Sequence, residues 1–422
     1  MTGGSAGSAD GTRELGVFSL LALGINGIVG VGIFFTPNLV AGLVPGQAGI
    51  LAYGLTLLAL LPVAMTYARL GSRFARDGGP YIWARAAFGE RAAFVVGFAA
   101  YASAVLSTAA VIAGLGEYTA PLLGFGAEKK AFAVCAAFVF GGIALSGLRP
   151  SSWVWSALTV LKLMPLLLLV GVFLLSAHAP TPASAPLGQI SWSRAVLLIV
   201  FPMQGFEIVP VPGSHVRSAA RAIPIATIGS LVLCAGLYAL LHWACVASVP
   251  GLAATDAPLV AAASALGGAR LGGLVSAGTN VSAIGIGFGM MAMTPRYLAA
   301  LEASGENGAL LALETRHHVP RRALFATLVL VVVLVSVGAL SRLFVLSSVA
   351  VLFQYSVSVL SLCVLAVRRK DGLSPRDALS APFALIALAI VARAVERAEL
   401  FVMSGIVVVA LLLWFARARL FR

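Results

Sequence analysis

The chain is 422 residues long, with 60% of them hydrophobic and only 10% charged. A water-soluble domain carries about a quarter charged residues, so this composition excludes a soluble globular protein. The formal net charge of +13 comes from 28 Lys and Arg against 15 Asp and Glu. Those basic residues lie between apolar segments and build no basic domain, which argues against nucleic acid as a partner and for a lipid bilayer.

Residues 1–14 are rich in Gly and Ser and are expected to form a disordered cytoplasmic tail. No small-residue cleavage site follows a short apolar core, so the first helix is expected to serve as its own membrane signal. From residue 15 onward, apolar runs of roughly 20 residues recur, each long enough to cross a bilayer as a helix. Twelve spans are predicted, at about 15–42, 48–70, 92–123, 130–148, 152–176, 192–213, 223–249, 271–300, 321–340, 343–367, 379–395 and 399–416. The expected architecture is therefore an all-α membrane protein with one transmembrane domain over 15–417 and short loops. The longest polar stretch, about 301–320, holds His317 and His318, which lack further ligands at metal spacing and read as a solvated loop. Cys135, Cys234, Cys245 and Cys363 all fall inside apolar runs and read as buried packing thiols, not disulfides or metal ligands.

With twelve spans, both termini share a side. That side collects 20 basic residues, including Arg69, Arg73, Arg76, Arg85 and Arg91 between spans 2 and 3. The opposite side collects 7, and Lys162 lies within a span. This asymmetry places both termini in the cytoplasm, and the cell (inner) membrane is the expected location.

Two spans break the helical rule. Span 1 contains Gly27-Ile28-Val29-Gly30-Val31-Gly32, and span 6 contains Phe201-Pro202-Met203-Gln204-Gly205-Phe206-Glu207 followed by Pro210, Pro212 and Gly213. Gly and Pro both disfavour continuous helix. At bilayer depth, broken backbone survives only where protein buries it or a polar cavity meets it. Breaks at matching places five spans apart point to inverted repeats with a substrate site between them. The alternative is tight Gly packing in span 1 and a simple Pro kink in span 6.

A broken helix leaves N–H groups unpaired at one half-helix start and C=O groups unpaired at the other half's end. The first attracts a carboxylate and the second an ammonium, so a zwitterion fits without any charged side chain. N–H groups near Val31, Gly32 and Ile33, following Gly30, are the expected carboxylate site. Carbonyls near Gly27, Ile28, Phe201 and Met203, beside Gly205, are the expected amine site. A small-molecule amino acid is the substrate this backbone favours.

These residues resemble a known family. Gly30-Val31-Gly32-Ile33-Phe34 with Pro37 is similar to the span 1 signature of the amino acid–polyamine–organocation superfamily. Phe201 to Glu207, followed by Arg217, Arg221 and Ile223-Pro224, resembles its span 6 signature. Gly78-Gly79-Pro80-Tyr81 before Phe88-Gly89, Thr159-Val160-Leu161-Lys162, and Gln354-Tyr355 resemble further segments, in the family's order, across about 15 to 370. The resemblance implies two inverted five-helix repeats, about 15–176 and 192–367, plus two extra helices at about 379–416. It implies carriage of amino acids or related amines by alternating access. Val31 stands where relatives often carry Ser or Ala, His215 where they often carry Glu, and Thr294-Pro295-Arg296 where they carry Ser-Arg.

Lys162 is the one basic residue placed well inside the membrane, where an unpaired ammonium is costly and the side chain should face the bundle interior. The resemblance puts it beside the span 1 break, near where sodium-coupled relatives bind an ion. It is the candidate proton-coupling or cation-surrogate group; the alternative is a structural lysine bonded permanently to span 1 carbonyls. Glu207, the one acid placed deep in a span, is read as gating or capping the break ahead of relaying protons. Phe201 is a candidate gate by resemblance, whereas Phe206 reads as packing. Tyr101, Ser107, Thr108, Gln354 and Tyr355 either line a cavity or bond helix to helix.

No Walker-type loop and no nucleophile–base constellation is present, so neither ATP-driven transport nor an enzyme is expected, and no cofactor is implied. The expected function is secondary active transport of amino acids. Neutral ones are favoured because the pocket offers no acid beyond Glu207. Proton symport is expected, with exchange, and then a non-transporting amino acid sensor, as alternatives.

Overall fold

The computed structural model describes residues 15–74, 78–146, 152–176, 189–213, 216–303 and 319–420. The glycine- and serine-rich tail, His215, His317 and His318 lie outside the described residues. Fourteen α-helices follow in order: α1 (Val17–Ile28), α2 (Gly32–Leu43), α3 (Ala48–Arg73), α4 (Pro80–Phe88), α5 (Glu90–Leu122), α6 (Lys129–Leu145), α7 (Ser152–Leu175), α8 (Trp192–Met203), α9 (Ala219–Ser248), α10 (Pro258–Ala303), α11 (Arg321–Val337), α12 (Leu340–Val367), α13 (Ala381–Ala392) and α14 (Arg397–Leu420). No strand occurs among the described residues; Leu15 and Val216 form an isolated parallel bridge.

Among the described residues, seven helical segments are long and apolar enough to cross a membrane, or eight if α1 and α2, bent by 51° at their junction, form one span. The apolar helices α6 and α11 are shorter, at 17 residues each. The Pro202 ring and the residues after it stop α8 after 12 residues. Each predicted apolar segment is occupied by helix, with three differences. The span 6 helix ends at Met203 and continues only as a 3-10 turn, Phe206–Ile208, because Gly205 turns at φ 123° and prolines 210 and 212 deny further helical bonds. The segment before span 8 is helical from Pro258, broken at Gly267 and Gly268. The segment between spans 2 and 3 contains α4, started by Pro80 at its first position.

α3 packs along α9, α6 along α11, and α5 between α10 and α12. α1 lies on α9, and α2 on α8; α13 and α14 cover α3, α5 and α12 from outside. The centre is aromatic and buried, with Tyr53, Tyr67, Trp83, Phe206, Tyr238, Phe344 and Tyr355 sealed from solvent. The periphery is apolar: Val160, Met164, Leu167 and Leu174 on α7 are exposed, as a lipid-facing helix requires. Cys234 and Cys245 are buried, but Cys135 is exposed and Cys363 half-buried. The expectation of four buried thiols is corrected there, because α6 turns Cys135 to the apolar periphery.

Candidate functional site

The two breaks meet face to face. α1 ends at Ile28, Val29 leaves the helix at ψ 90°, and α2 starts at Gly32. Across from it, α8 ends at Met203 and Gln204 is extended. A Cβ on Gly205 would stand 2.3 Å from the Gly27 carbonyl carbon. Only a residue without a side chain lets these two backbones approach so closely. A Cβ on Gly32 would stand 2.9 Å from Pro202 and 3.0 Å from the Phe201 ring. Gly32, Phe201 and Gly205 are thus brought together, with Ile28, Val31, Ile33 and Met203 buried around them. Gly30 lies at the same break, with Ile286 in ordinary contact distance of where its Cβ would be.

The polar ends of the break have different fates. At the start of α2, Val31 accepts from the Phe34 N–H at 3.1 Å. By position the N–H groups of Gly32 and Ile33 have no intrahelical acceptor. At the end of α1, the Lys162 ammonium, only 2% exposed, donates to the carbonyls of Asn26 at 2.9 Å and Val29 at 2.7 Å. The Tyr238 hydroxyl donates to the Ile28 carbonyl at 2.9 Å. The Phe201 carbonyl accepts from the Gln204 N–H at 3.2 Å. The Ile28 and Phe201 carbonyls each already accept one bond and keep a second lone pair.

Glu207 caps the second break. Its carboxylate accepts from the Gly205 N–H at 2.8 Å and from the Tyr355 hydroxyl at 3.0 Å. Tyr355 and Tyr67 pack edge to face with centroids 5.6 Å apart, and Phe206 is buried against both. Phe201 stacks on Phe344 with centroids 4.1 Å apart. The polar residues of spans 3 and 10 bond helix to helix. Tyr101 pairs with Thr327 at 3.0 Å, Ser107 with Ser347 at 2.6 Å and Thr108 with Thr294 at 3.0 Å; Gln354 donates to Tyr67 at 3.2 Å.

Sequence reasoning passed over Tyr238, Gln204 and Ser347. Ser347 donates to the Gln204 side chain at 3.3 Å, which ties α12 to the second break. The available signal for Tyr238 was spacing: Cys234, Tyr238 and His242 recur every fourth residue, one face of α9.

Two interrupted helices meeting inside an apolar helical bundle define a multi-pass membrane protein with a buried backbone site. The chain belongs to the amino acid permease family, whose profile matches residues 15–418. Human cationic amino acid transporter 4 is 25% identical over 319 residues, 69% of this chain and 50% of the relative. The branched-chain amino acid permease BcaP of Bacillus subtilis is 25% identical over 391 residues, 86% of this chain and 83% of the relative. The serine/threonine exchanger SteT of the same organism is 25% identical over 303 residues, 68% of each chain. The chain spans half the length of the human relative it matches. The family is one of permeases and exchangers, not of enzymes.

Proposed function

We propose that this protein is a secondary active transporter of amino acids, working by alternating access in the cell (inner) membrane with both termini cytoplasmic. The observation that carries the reading is the meeting of the two breaks, with the uncapped start of α2 at Gly32 and Ile33 on one side and the Lys162 ammonium on α1 carbonyls on the other. The substrate carboxylate sits on the α2 start, where the helix dipole favours an anion. The substrate ammonium takes the second lone pairs of the Ile28 and Phe201 carbonyls and the carbonyl of Met203. Glu207 is bonded to Gly205 and Tyr355, so it serves the break and its gating, not a cationic side chain. That favours neutral amino acids.

The reading includes twelve spans in two inverted repeats, with α13 and α14 added outside. Helix packing supports it. Exchanging each span with the one five later turns the neighbour α5–α12 into α10–α7, and α1–α9 into α8–α3, all of which pack. Lys162 on the fifth span reaches the first break, and Tyr355 on the tenth reaches the sixth through Glu207.

Proton symport through Lys162 is the coupling we favour. Exchange is the second reading, since a lysine bonded to two carbonyls also works as a fixed cation. Uptake of a labelled amino-acid panel into proteoliposomes decides, with an inward proton gradient, a sodium gradient or internal substrate. Proton-driven uptake supports symport, and a requirement for internal substrate supports exchange. Sodium dependence overturns the role given to Lys162, and binding without flux leaves a sensor.

A further inference from the structure

One buried polar cluster is not used by the substrate site. The Tyr53 hydroxyl and both ring nitrogens of His242 are buried without a hydrogen-bond partner among the described residues. Both side chains are 0% exposed, and their rings lie 5.1 Å apart. Buried polar groups are nearly always bonded, to protein or to water, so three orphaned atoms around one ring pair call for an explanation. A buried water needs two to four polar partners, which these atoms supply.

The cluster has two ends. On one side, His242 Nε2 lies 2.4 Å from where a Gly49 Cβ would stand. The imidazole therefore sits directly under the start of α3 and the turn 44–48, in which Gln47 is exposed. On the other side, the same face of α9 carries Tyr238 and then Cys234. Tyr238 holds the Ile28 carbonyl at the first break. Ile28 precedes Val29, whose carbonyl Lys162 holds, so Tyr238 connects this face of α9 to the site of the lysine. The titratable groups around the imidazole are Tyr53 from α3 and Tyr238 and Cys245 from α9, with Tyr118 of α5 beyond Cys245. No carboxylate, lysine or arginine is paired with it among the described residues.

We propose that Tyr53 and His242 form a hydrated proton inlet to Lys162, an inference that rests on Lys162 being the coupling group. A proton from water under the turn adds to the acceptor nitrogen of His242. The opposite N–H releases its proton to water held at the Tyr53 hydroxyl, which regenerates neutral imidazole. Water alongside Tyr238 delivers that proton to the deprotonated amine of Lys162, which becomes the ammonium bonded to Asn26 and Val29. Neutral imidazole suits this work because each ring nitrogen alternates between donor and acceptor.

The test compares wild type, His242→Asn, His242→Gln and Tyr53→Phe in proteoliposomes, using whichever labelled amino acid the wild type takes up. Two readouts are taken: uptake driven by an inward proton gradient, and substrate counterflow at equal pH on both sides. The expected result is a loss of about a hundredfold or more in proton-driven uptake, the low side of what a positioned proton-transfer group contributes, with counterflow unchanged. Proton-driven uptake at the wild-type level in all three variants overturns the inlet while leaving Lys162 in place. Equal loss in both readouts overturns it in favour of a packing role. A wild type indifferent to the proton gradient overturns the coupling role of Lys162 and the inlet with it.

Discussion

The ammonium of Lys162 on α7 donates to the backbone carbonyl of Val29 at 2.7 Å, in the gap between α1 and α2. One side chain thereby fixes the end of one half-helix and fills a buried position with a group that can gain or lose a proton. An ammonium at such depth is tolerated only with bonded acceptors, and the broken helix supplies two. The break and the lysine stabilise each other, so either is expected to fail without its partner.

Lys162→Ala leaves the Asn26 and Val29 carbonyls without donors. A buried polar group stripped of its partner costs about 1–3 kcal/mol. The variant is expected to melt at lower temperature in detergent and to lose proton-driven uptake. A thermal melt alongside a vesicle flux assay checks both. A lower melting temperature with uptake intact would reduce Lys162 to a brace.

Gly205→Ala strikes the meeting point of the two breaks. The residue sits at φ 123°, and a Cβ there would lie 2.5 Å from the Ile28 nitrogen. Backbone strain of about 1–3 kcal/mol is added to a collision that only separating the breaks relieves. Poor yield of folded protein and no uptake are expected. Gly54→Ala, which meets open space on the same bundle, serves as the control and should behave as wild type.

Tyr355→Phe removes the hydroxyl donor on the Glu207 carboxylate, leaving the backbone N–H groups of Gly205 and Glu207. Hydrogen bonds to charged groups contribute about 1.5–3 kcal/mol, so a stability loss of that order is expected. Glu207→Gln weakens the same contact from its other end. A double-mutant cycle measured by denaturation should therefore show strong coupling between the two substitutions. Additive effects would mean that Tyr355 serves packing with Tyr67 and Phe206 alone.

Much of this is legible in the residues themselves. Composition fixed the solvent, since a chain so poor in charge has no other way to fold than among lipids. The breaks were legible because Gly and Pro act locally, and Lys162 because a lone cation in an apolar run has few places to go. The path after Met203 was harder to see: the turn at Gly205 answers to a backbone from another part of the chain, which no local rule reports. The partners of Tyr101, Ser107 and Thr108 were hidden for the same reason, being set by which helix faces which. Tyr53 and His242 looked unremarkable because they are separated by 189 positions and acquire meaning only when α3 lies on α9.

The outer helices are tied to the second break by one charged fork. Arg194, near the start of α8, donates to both carboxylate oxygens of Glu399 at 2.7 and 2.9 Å, and to the Ala394 carbonyl at 3.2 Å. Glu399 also accepts from the Glu396 N–H at 2.9 Å, which fixes the link between α13 and α14. The two side chains retain 24% and 11% exposure, between a surface pair and a buried one. A surface pair contributes about 0–1 kcal/mol, while stripping one partner from a buried pair costs about 3–5 kcal/mol. Glu399→Ala is therefore expected to cost about 1–2 kcal/mol, with Glu399→Gln milder because the amide oxygen still accepts from the guanidinium. If α8 moves when the site opens, the same substitutions should also change the transport rate, because α14 would no longer hold α8 in place. Melting curves and initial uptake rates on both variants separate the two effects. A lowered melting point at unchanged rate would assign the fork to stability alone, and no change in either would show that solvent already replaces it.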